Sequence, residues 1–278
     1  MILSLLRKGY LWFNKNVITV NGEKVAIPLD LFSFFSLRAN NPIEPELVQF
    51  VRDNLEKGDV FVDVGANIGL VALEASRKVG SSGLVLALEP NPWVFKKLVE
   101  VQQLNKCENI RTLELAASDS KDLGVLHMNN IDSMLMTRSS MQFKDEGAVA
   151  VKVFVGRLDD ICNSAGNIKL LKIDVEGAEM SVLKGARELI KSNRPLVCIE
   201  IHGLFFDNPN KHVQDIFSYF ADLDFQCYNL HKNALEDAVG FSKDTGMHGR
   251  DDISQEEFAK VGYGQVVFYP KDVKITKR

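Results

Sequence analysis

Five places in this 278-residue sequence bring together residue types that could do chemistry. The first is Val60-Phe61-Val62-Asp63-Val64-Gly65-Ala66-Asn67-Ile68-Gly69-Leu70, an apolar run that ends in an acid and enters a glycine turn. Gly65 and Gly69 remove Cβ where backbone must approach a ligand or where helix meets strand. A helix starting there presents unpaired N–H groups and the positive end of its dipole. The spacing is G-x-x-x-G with no Lys-Ser/Thr, which argues against a dinucleotide fingerprint and a P-loop. The second is Glu89, at the end of Leu84–Leu88 and before Pro90-Asn91-Pro92. It lies about twenty residues beyond Gly69, where an acid at a strand tip holds a ribose diol by accepting two hydroxyl hydrogen bonds. The third is Asp119 in Ala116-Ala117-Ser118-Asp119, at the end of the third strand. It reads equally as an acceptor for an adenine amino group and as an ordinary turn acid.

The fourth place is Leu170-Leu171-Lys172-Ile173-Asp174-Val175-Glu176-Gly177-Ala178-Glu179, again an apolar run turning into a helix. Asp174 and Glu176 would serve as simple helix caps. Three acids in six residues at the carboxyl edge of a sheet also mark the side where open α/β folds bind ligands. The fifth is Cys198-Ile199-Glu200-Ile201-His202-Gly203. Glu200 and His202 are two apart, so on a continued strand they face the same side. The chain has five histidines, and His202 alone sits at a strand tip beside an acid. A His–Glu pair there can act as general base or bind a metal; the alternative is a hydrogen-bonded structural histidine.

These positions need a scaffold that brings strand tips together. Short apolar runs at 60–62, 84–88, 110–115, 169–173, 196–201 and 225–228 alternate with segments of helical period at 71–79, 94–104 and 182–190. Unbroken apolar strands alternating with helices predict a parallel sheet covered on both faces. Two strand-like runs, 124–128 and 148–155, interrupt the alternation, as does a polar segment of about thirty residues after Tyr228, long enough to expect a function. Before the alternation, 17–20 and 23–27 flank Asn21-Gly22, a type I′ hairpin signal. A helix is expected from Pro45 to Leu55, with Pro45 in the first turn. The run 265–269 before Pro270 forms a last strand. Residues 1–56 are expected to be a hairpin and helix extension packing on a core domain of residues 57–278.

Hydrophobic residues make up 46% and charged residues 25%, with a net charge of −4. That balance excludes a disordered or coiled-coil chain and gives no basic excess for nucleic acid. Cys107, Cys162, Cys198 and Cys227 form no C-x-x-C pair. Cys162 and Cys198 read as buried thiols, and with them a reducing, cytoplasmic location is expected. No apolar run reaches the roughly 18 residues of a membrane span. The apolar N-terminus, residues 1–13, is expected to pack on its own domain; the alternative is a membrane-surface or partner-docking helix.

In this order, V-D-V-G-A-N-I-G, L-E-P-N-P, A-A-S-D, L-K-I-D-V-E-G-A-E and I-E-I-H resemble the FkbM family of S-adenosylmethionine-dependent methyltransferases, from about residue 60 to 203. The resemblance implies a Rossmann-like class I methyltransferase: a mostly parallel seven-stranded sheet with an antiparallel last strand. It implies O-methylation of a hydroxyl on a sugar, glycolipid or natural product. Carried over, it places S-adenosylmethionine at Asp63, Gly65, Asn67, Gly69, Glu89 and Asp119. Asp63 would hold the methionine ammonium through water, Glu89 the ribose and Asp119 the adenine amino group. Gly156-Arg157 stands where family members often carry a threonine, and the stretch 129–140 is Met-rich and glycine-free. Both lie where a small-molecule or glycan acceptor would sit.

An alcohol needs a base for its proton before it attacks a methyl sulfonium. His202, oriented by Glu200, is the first candidate, and Asp174 the second, as base or as metal ligand. Asp174, Glu200 and His202 together also suit a divalent metal. Two other readings stay open: a non-catalytic binding module on the same fold, and an NAD-dependent dehydrogenase lacking the usual glycine fingerprint.

Overall fold

In a computed structural model of the chain, the structure describes residues 16–31, 43–128, 139–141, 148–202, 209–229 and 265–274. The N-terminal segment 1–13 and nearly all of the polar segment after Tyr228 lie outside these residues, as does most of the Met-rich stretch. Among the described residues, no helix is long and apolar enough to cross a membrane.

The chain opens with the expected hairpin, β1 (Asn16–Val20) and β2 (Glu23–Ile27). Asn21 and Gly22 both have positive φ, as a type I′ turn requires. The Asn21 side chain donates to the Ile43 carbonyl and accepts from the Ile43 N–H, tying the turn to the start of α1 (Pro45–Asn54). The alternation follows: β3 (Val60–Val64), α2 (Leu70–Val79), β4 (Leu84–Leu88), α3 (Pro92–Asn105) and β5 (Ile110–Leu113).

After β5 the chain leaves the main sheet. β6 (Ala116–Ala117), β7 (Asp122–Met128), β8 (Ser139–Ser140) and β9 (Val149–Gly156) form a separate four-stranded sheet. The main sheet resumes through α4 (Leu158–Ile161), β10 (Ile168–Ile173), α5 (Glu179–Gly185), α6 (Arg187–Asn193), β11 (Leu196–Glu200), α7 (Pro209–Ala221), β12 (Phe225–Asn229) and β13 (Gln265–Pro270).

The main sheet has the order β12-β13-β11-β10-β3-β4-β5. β13 is antiparallel to both its neighbours and the other pairings are parallel, as expected. Successive strand residues enter opposite layers. Phe61, Ala87, Leu170, Cys198 and Val267 pack with the hairpin, α1, α2 and α3. Val62, Leu86, Leu171, Val197 and Phe268 pack under α5, α6 and α7. β3 pairs with β4 on one side and β10 on the other, so the chain reverses its winding there. A crevice opens at the carboxyl ends of strands at such a switch point.

Two expectations need correction. The third strand ends at Leu113, and Ala116–Ala117 hydrogen-bonds to β9 instead, with Ser118 N–H donating to the Gly156 carbonyl. Asp119 therefore follows a strand of the small sheet. The helix expected over 182–190 is two helices broken at Ala186. Gly185 lies so close to the chain after β6 that a Cβ there would overlap the Ser118 carbonyl oxygen. This contact locks α5 against the root of the small sheet. Gly185→Ala is expected to lower the free energy of unfolding by about 1–3 kcal/mol, as overpacking does. Urea denaturation checks this; unchanged stability would mean the backbone yields freely.

Candidate active site

The crevice is open to solvent, and its wall includes Gly65, Asn67, Glu89, Ala116, Asp174 and Glu176. Its floor is the turn after β3. Gly65 N–H and Ala66 N–H both donate to the Leu88 carbonyl, folding the turn over the end of β4. Gly65 has φ +75°, and a Cβ there would overlap the Asp174 carbonyl oxygen. The turn and the end of β10 therefore close on each other only because residue 65 has no side chain.

Glu89 ties the same turn to α3. Its Oε2 accepts from Asn67 N–H at 2.9 Å and its Oε1 from Asn91 N–H at 2.9 Å. Asn91 in turn caps α3 through Trp93 N–H and Val94 N–H. Burial pushes the Glu89 carboxyl up to about 7, although both backbone donors favour the charged form. Asn67 takes a positive φ, and α2 has Gly69 at its N-cap position with no side-chain cap, leaving first-turn N–H groups without an intrahelical partner.

Behind the wall lies Lys172, a residue the sequence reading quoted without giving it a role. It is 4% exposed. Its Nζ donates to the Gly65 carbonyl at 3.0 Å and sits 3.2 Å from Asp63 Oδ1 and 3.5 Å from Asp174 Oδ2. Register places Lys172 beside Asp63 on adjacent parallel strands. Burial lowers the ammonium pKa, but Asp63, Asp174 and Glu44 more than reverse this and hold it above the ordinary lysine value. Asp63 is fully buried and does not reach the cavity wall. Desolvation raises its pKa despite Lys172. Its placement offers support beneath the turn.

Glu44, at the start of α1, joins the same cluster from outside the sheet. Gln265 Nε2 on β13 donates to Glu44 Oε2 at 3.0 Å and to Glu200 Oε2 at 3.4 Å. Glu44 is pushed upward, first by desolvation. Glu200 rises to about 7, first by desolvation and then by the nearby Asp174 charge.

His202 comes to the same corner in an arrangement the sequence reading misassigned. The strand stops at Glu200, and the ring turns toward the start of α5. Nδ1 lies 2.9 Å from Glu179 Oε1, while Glu179 Oε2 lies 3.0 Å from His212 Nε2. A carboxylate only accepts, so both ring nitrogens carry the hydrogen. Gly177 N–H also donates to Glu179 Oε1. These partners outweigh burial and hold the Glu179 carboxyl down at about 2. Glu179 is thus the orienting acid; Glu200 Oε1 is 3.6 Å away, at the other ring nitrogen. Asp174 Oδ1 and Glu176 Oε2 also face Nε2, at 3.8 and 3.7 Å. Burial opposes the imidazolium, but the Glu179 hydrogen bond and the Asp174, Glu179 and Glu176 charges lift His202 to about 9. A value raised this far works against the proton-accepting role expected of His202 at neutral pH.

Gly65, Asn67, Glu89 and Asp174 line one cavity, and Asp174, Glu200 and His202 converge with ligand atoms within 4.8 Å of one another. Gly69 sits just behind the wall at the start of α2. Asp119 is exposed and not part of the wall; Ala116 and Ala117 are. Lys172, Glu44, Gln265 and His212 went unassigned because nothing local marks them. Only strand register and chain crossing bring them in.

Replacing Lys172 with methionine tests the cluster. Removing one partner of a buried ion pair costs about 3–5 kcal/mol, so Lys172→Met should lose that much in denaturant titration at pH 7.5. Asp63, Glu44 and Glu200 are acids with raised folded-state values. Their folded charged forms cost stability as pH rises, and that cost disappears as pH falls. The variant's deficit should therefore shrink toward pH 5.

Residues 63–227 match the methyltransferase FkbM domain. The hexuronic acid methyltransferase AglP of Haloferax volcanii is 30% identical over 161 residues, 57% of this chain and 62% of that protein. The 2-O-methyltransferase NoeI of Sinorhizobium fredii is 29% identical over 157 residues, covering 50% of this chain and 63% of its own. The chain thus spans under two thirds of the length of these relatives. A solved FkbM methyltransferase from Methylobacillus flagellatus aligns with 78% of this chain and 44% of its own at 19% identity and a TM-score of 0.47. With more than half of its length matched by that one domain, the chain belongs to the FkbM methyltransferase family.

Proposed function

We propose that the protein is an S-adenosylmethionine-dependent O-methyltransferase acting on a hydroxyl of a sugar, glycolipid or related small molecule. One observation carries this reading. A single cavity is lined by a glycine turn, by a diol-competent carboxylate, Glu89, and by the carboxylates Asp174 and Glu176. The names of AglP and NoeI supply the sugar and hydroxyl classes by analogy.

The residues present fit the cofactor. The space above Gly65 is one that a Cβ could not share with the β10 end. The uncapped start of α2 offers N–H donors. Glu89 keeps lone pairs for two ribose hydroxyls beyond its backbone contacts. Pro90, Val94, Ala116 and Leu126 give that part of the wall an apolar face. When bound, S-adenosylmethionine supplies a methyl group already activated on a sulfonium. The chain's own work is then to position the acceptor and exclude water. Asp174 or Glu176 accepts the hydrogen bond of the acceptor hydroxyl and takes up its proton. Lys172 and Glu179 hold this wall in place and touch no substrate.

Calorimetry tests the cofactor half. Glu89→Ala should weaken S-adenosylmethionine binding by about 1–3 kcal/mol, or roughly 5- to 150-fold. Wild-type affinity in the variant would remove Glu89 from the site. The ribose hydroxyls donate to the carboxylate, so binding favours ionised Glu89, and the free group titrates at about 7. Affinity should therefore tighten as pH rises from 6 to 8, with proton release on binding below pH 7, and Glu89→Ala should flatten that profile. Asp174→Asn should cut turnover by about 10²–10⁴-fold while cofactor affinity stays near wild type.

A further inference from the structure

We propose that Asp174, Glu200 and His202 bind a divalent cation of the Mn²⁺ class, which holds and acidifies the acceptor hydroxyl beside the cofactor cavity. This deepens the methyltransferase reading and rests on it only for the identity of the acceptor.

The donors come from three places on the sheet edge: Asp174 just past β10, Glu200 at the end of β11, and His202 two residues beyond it. His202 Nε2 lies 3.6 Å from Glu200 Oε1 and 3.8 Å from Asp174 Oδ1. These separations exceed hydrogen-bond range. They suit ligands about 2.1 Å from one shared ion. One atom from each residue falls within 4.8 Å of the others.

The outer contacts of the histidine point the same way. Glu179 takes the Nδ1 hydrogen at 2.9 Å and is itself held by His212 at 3.0 Å and Gly177 N–H at 3.1 Å. Metal-ligating histidines are oriented in this manner: a carboxylate fixes the tautomer and turns the other nitrogen toward the ion. Glu179 is fully buried and is not itself part of the cavity wall.

Charge gives an independent reason. Glu44, Asp63, Asp174, Glu176, Glu179 and Glu200 share this corner with Lys172, His202 and His212. Six acids in charged form against three cations leave three negative charges even with both rings protonated. A divalent ion at Nε2 replaces the proton there and brings the corner from three negative charges to two. The mixture of one imidazole and two carboxylates suits Mn²⁺ better than an all-oxygen Mg²⁺ or Ca²⁺ site or a thiolate-rich one.

Asp174 belongs both to this set and to the cavity wall, so the ion adjoins the bound acceptor. An alcohol on the ion loses its proton more readily. With Asp174 engaged, Glu176 is the wall carboxylate left to take that proton. The oxygen lone pair forms the new C–O bond, and the C–S bond pair returns to sulfur, giving the neutral thioether. Glu176 has φ 50°, and Ser140 Oγ donates to its carbonyl at 2.9 Å. That contact holds a backbone that a non-glycine residue rarely adopts.

The test uses the full chain after removal of metals by chelator. Electron paramagnetic resonance measures free Mn²⁺, and calorimetry measures S-adenosylmethionine binding to the same metal-free sample. Wild type should take up one Mn²⁺ per chain. Asp174→Asn and Glu200→Gln, each confirmed folded by melting temperature, should weaken uptake at least tenfold. Glu179→Gln, which removes no ligand, should weaken it by about 10- to 100-fold. Asp119→Asn should bind as wild type does. No uptake by folded wild type at millimolar Mn²⁺, or equal uptake by Asp174→Asn and Glu200→Gln, would overturn the site. If either of these does not fold, the other decides. Cofactor binding without Mn²⁺ uptake defeats the metal alone. Mn²⁺ uptake with the stated pattern but no cofactor binding defeats the methyltransferase reading and leaves the metal site standing.

Discussion

Where β3 and β10 run side by side, a lysine ammonium lies almost wholly inside the protein, and the site is arranged around it. Lys172 takes the Gly65 carbonyl, faces Asp63 on the neighbouring strand, and reaches toward Asp174 two residues on. A cation removed from water is tolerated only if it is paired and hydrogen-bonded. Here the compensation comes from the acids that sequence logic would assign to ligands. The glycine turn, β3 and the end of β10 thus share one electrostatic centre. The same centre explains why Asp63 is wholly buried, whereas Glu89, one strand further out, stays on the cavity wall.

The main sheet was legible in the sequence because a strand covered on both faces carries its own signature. The runs at 84–88 and 196–201 needed no context beyond apolar continuity, and Asn-Gly at 21–22 specified its turn chemically. The glycine turn and Glu89 were legible for the same reason: each sits at the tip of such a strand. What escaped was whatever depends on lateral neighbours. Ala116–Ala117 looked like the end of the third strand because composition does not reveal which edge a two-residue strand pairs with. Its partners, Val155 and Gly156, each lie 39 residues further along the chain. The break at Ala186 follows a glycine that lies against a carbonyl belonging to residue 118, a contact of which helical period in 182–190 carried no trace.

His202 shows how a correct location can come with the wrong partner. Spacing along a strand pairs Glu200 with His202, and both do reach the same corner. The strand ends between them, however, and the ring finds Glu179, on a helix that starts after a different strand. The exchange alters the chemistry. A histidine beside a single half-exposed acid is poised to move protons near neutrality. One surrounded by four carboxylates, with one nitrogen fixed, is a holder of positive charge, whether that charge is a proton or an ion.

The hydrogen bonds from Gln265 to Glu44 and Glu200 join residues from opposite ends of the chain at the centre of the acidic corner. Glu44 and Gln265 both fall outside residues 63–227, the span that matches the family domain. The matched span supplies the centre of the sheet and the glycine turn, while the acidic corner is completed from the start of α1 and from β13. A polypeptide limited to residues 63–227 would keep that turn and lose two members of the corner.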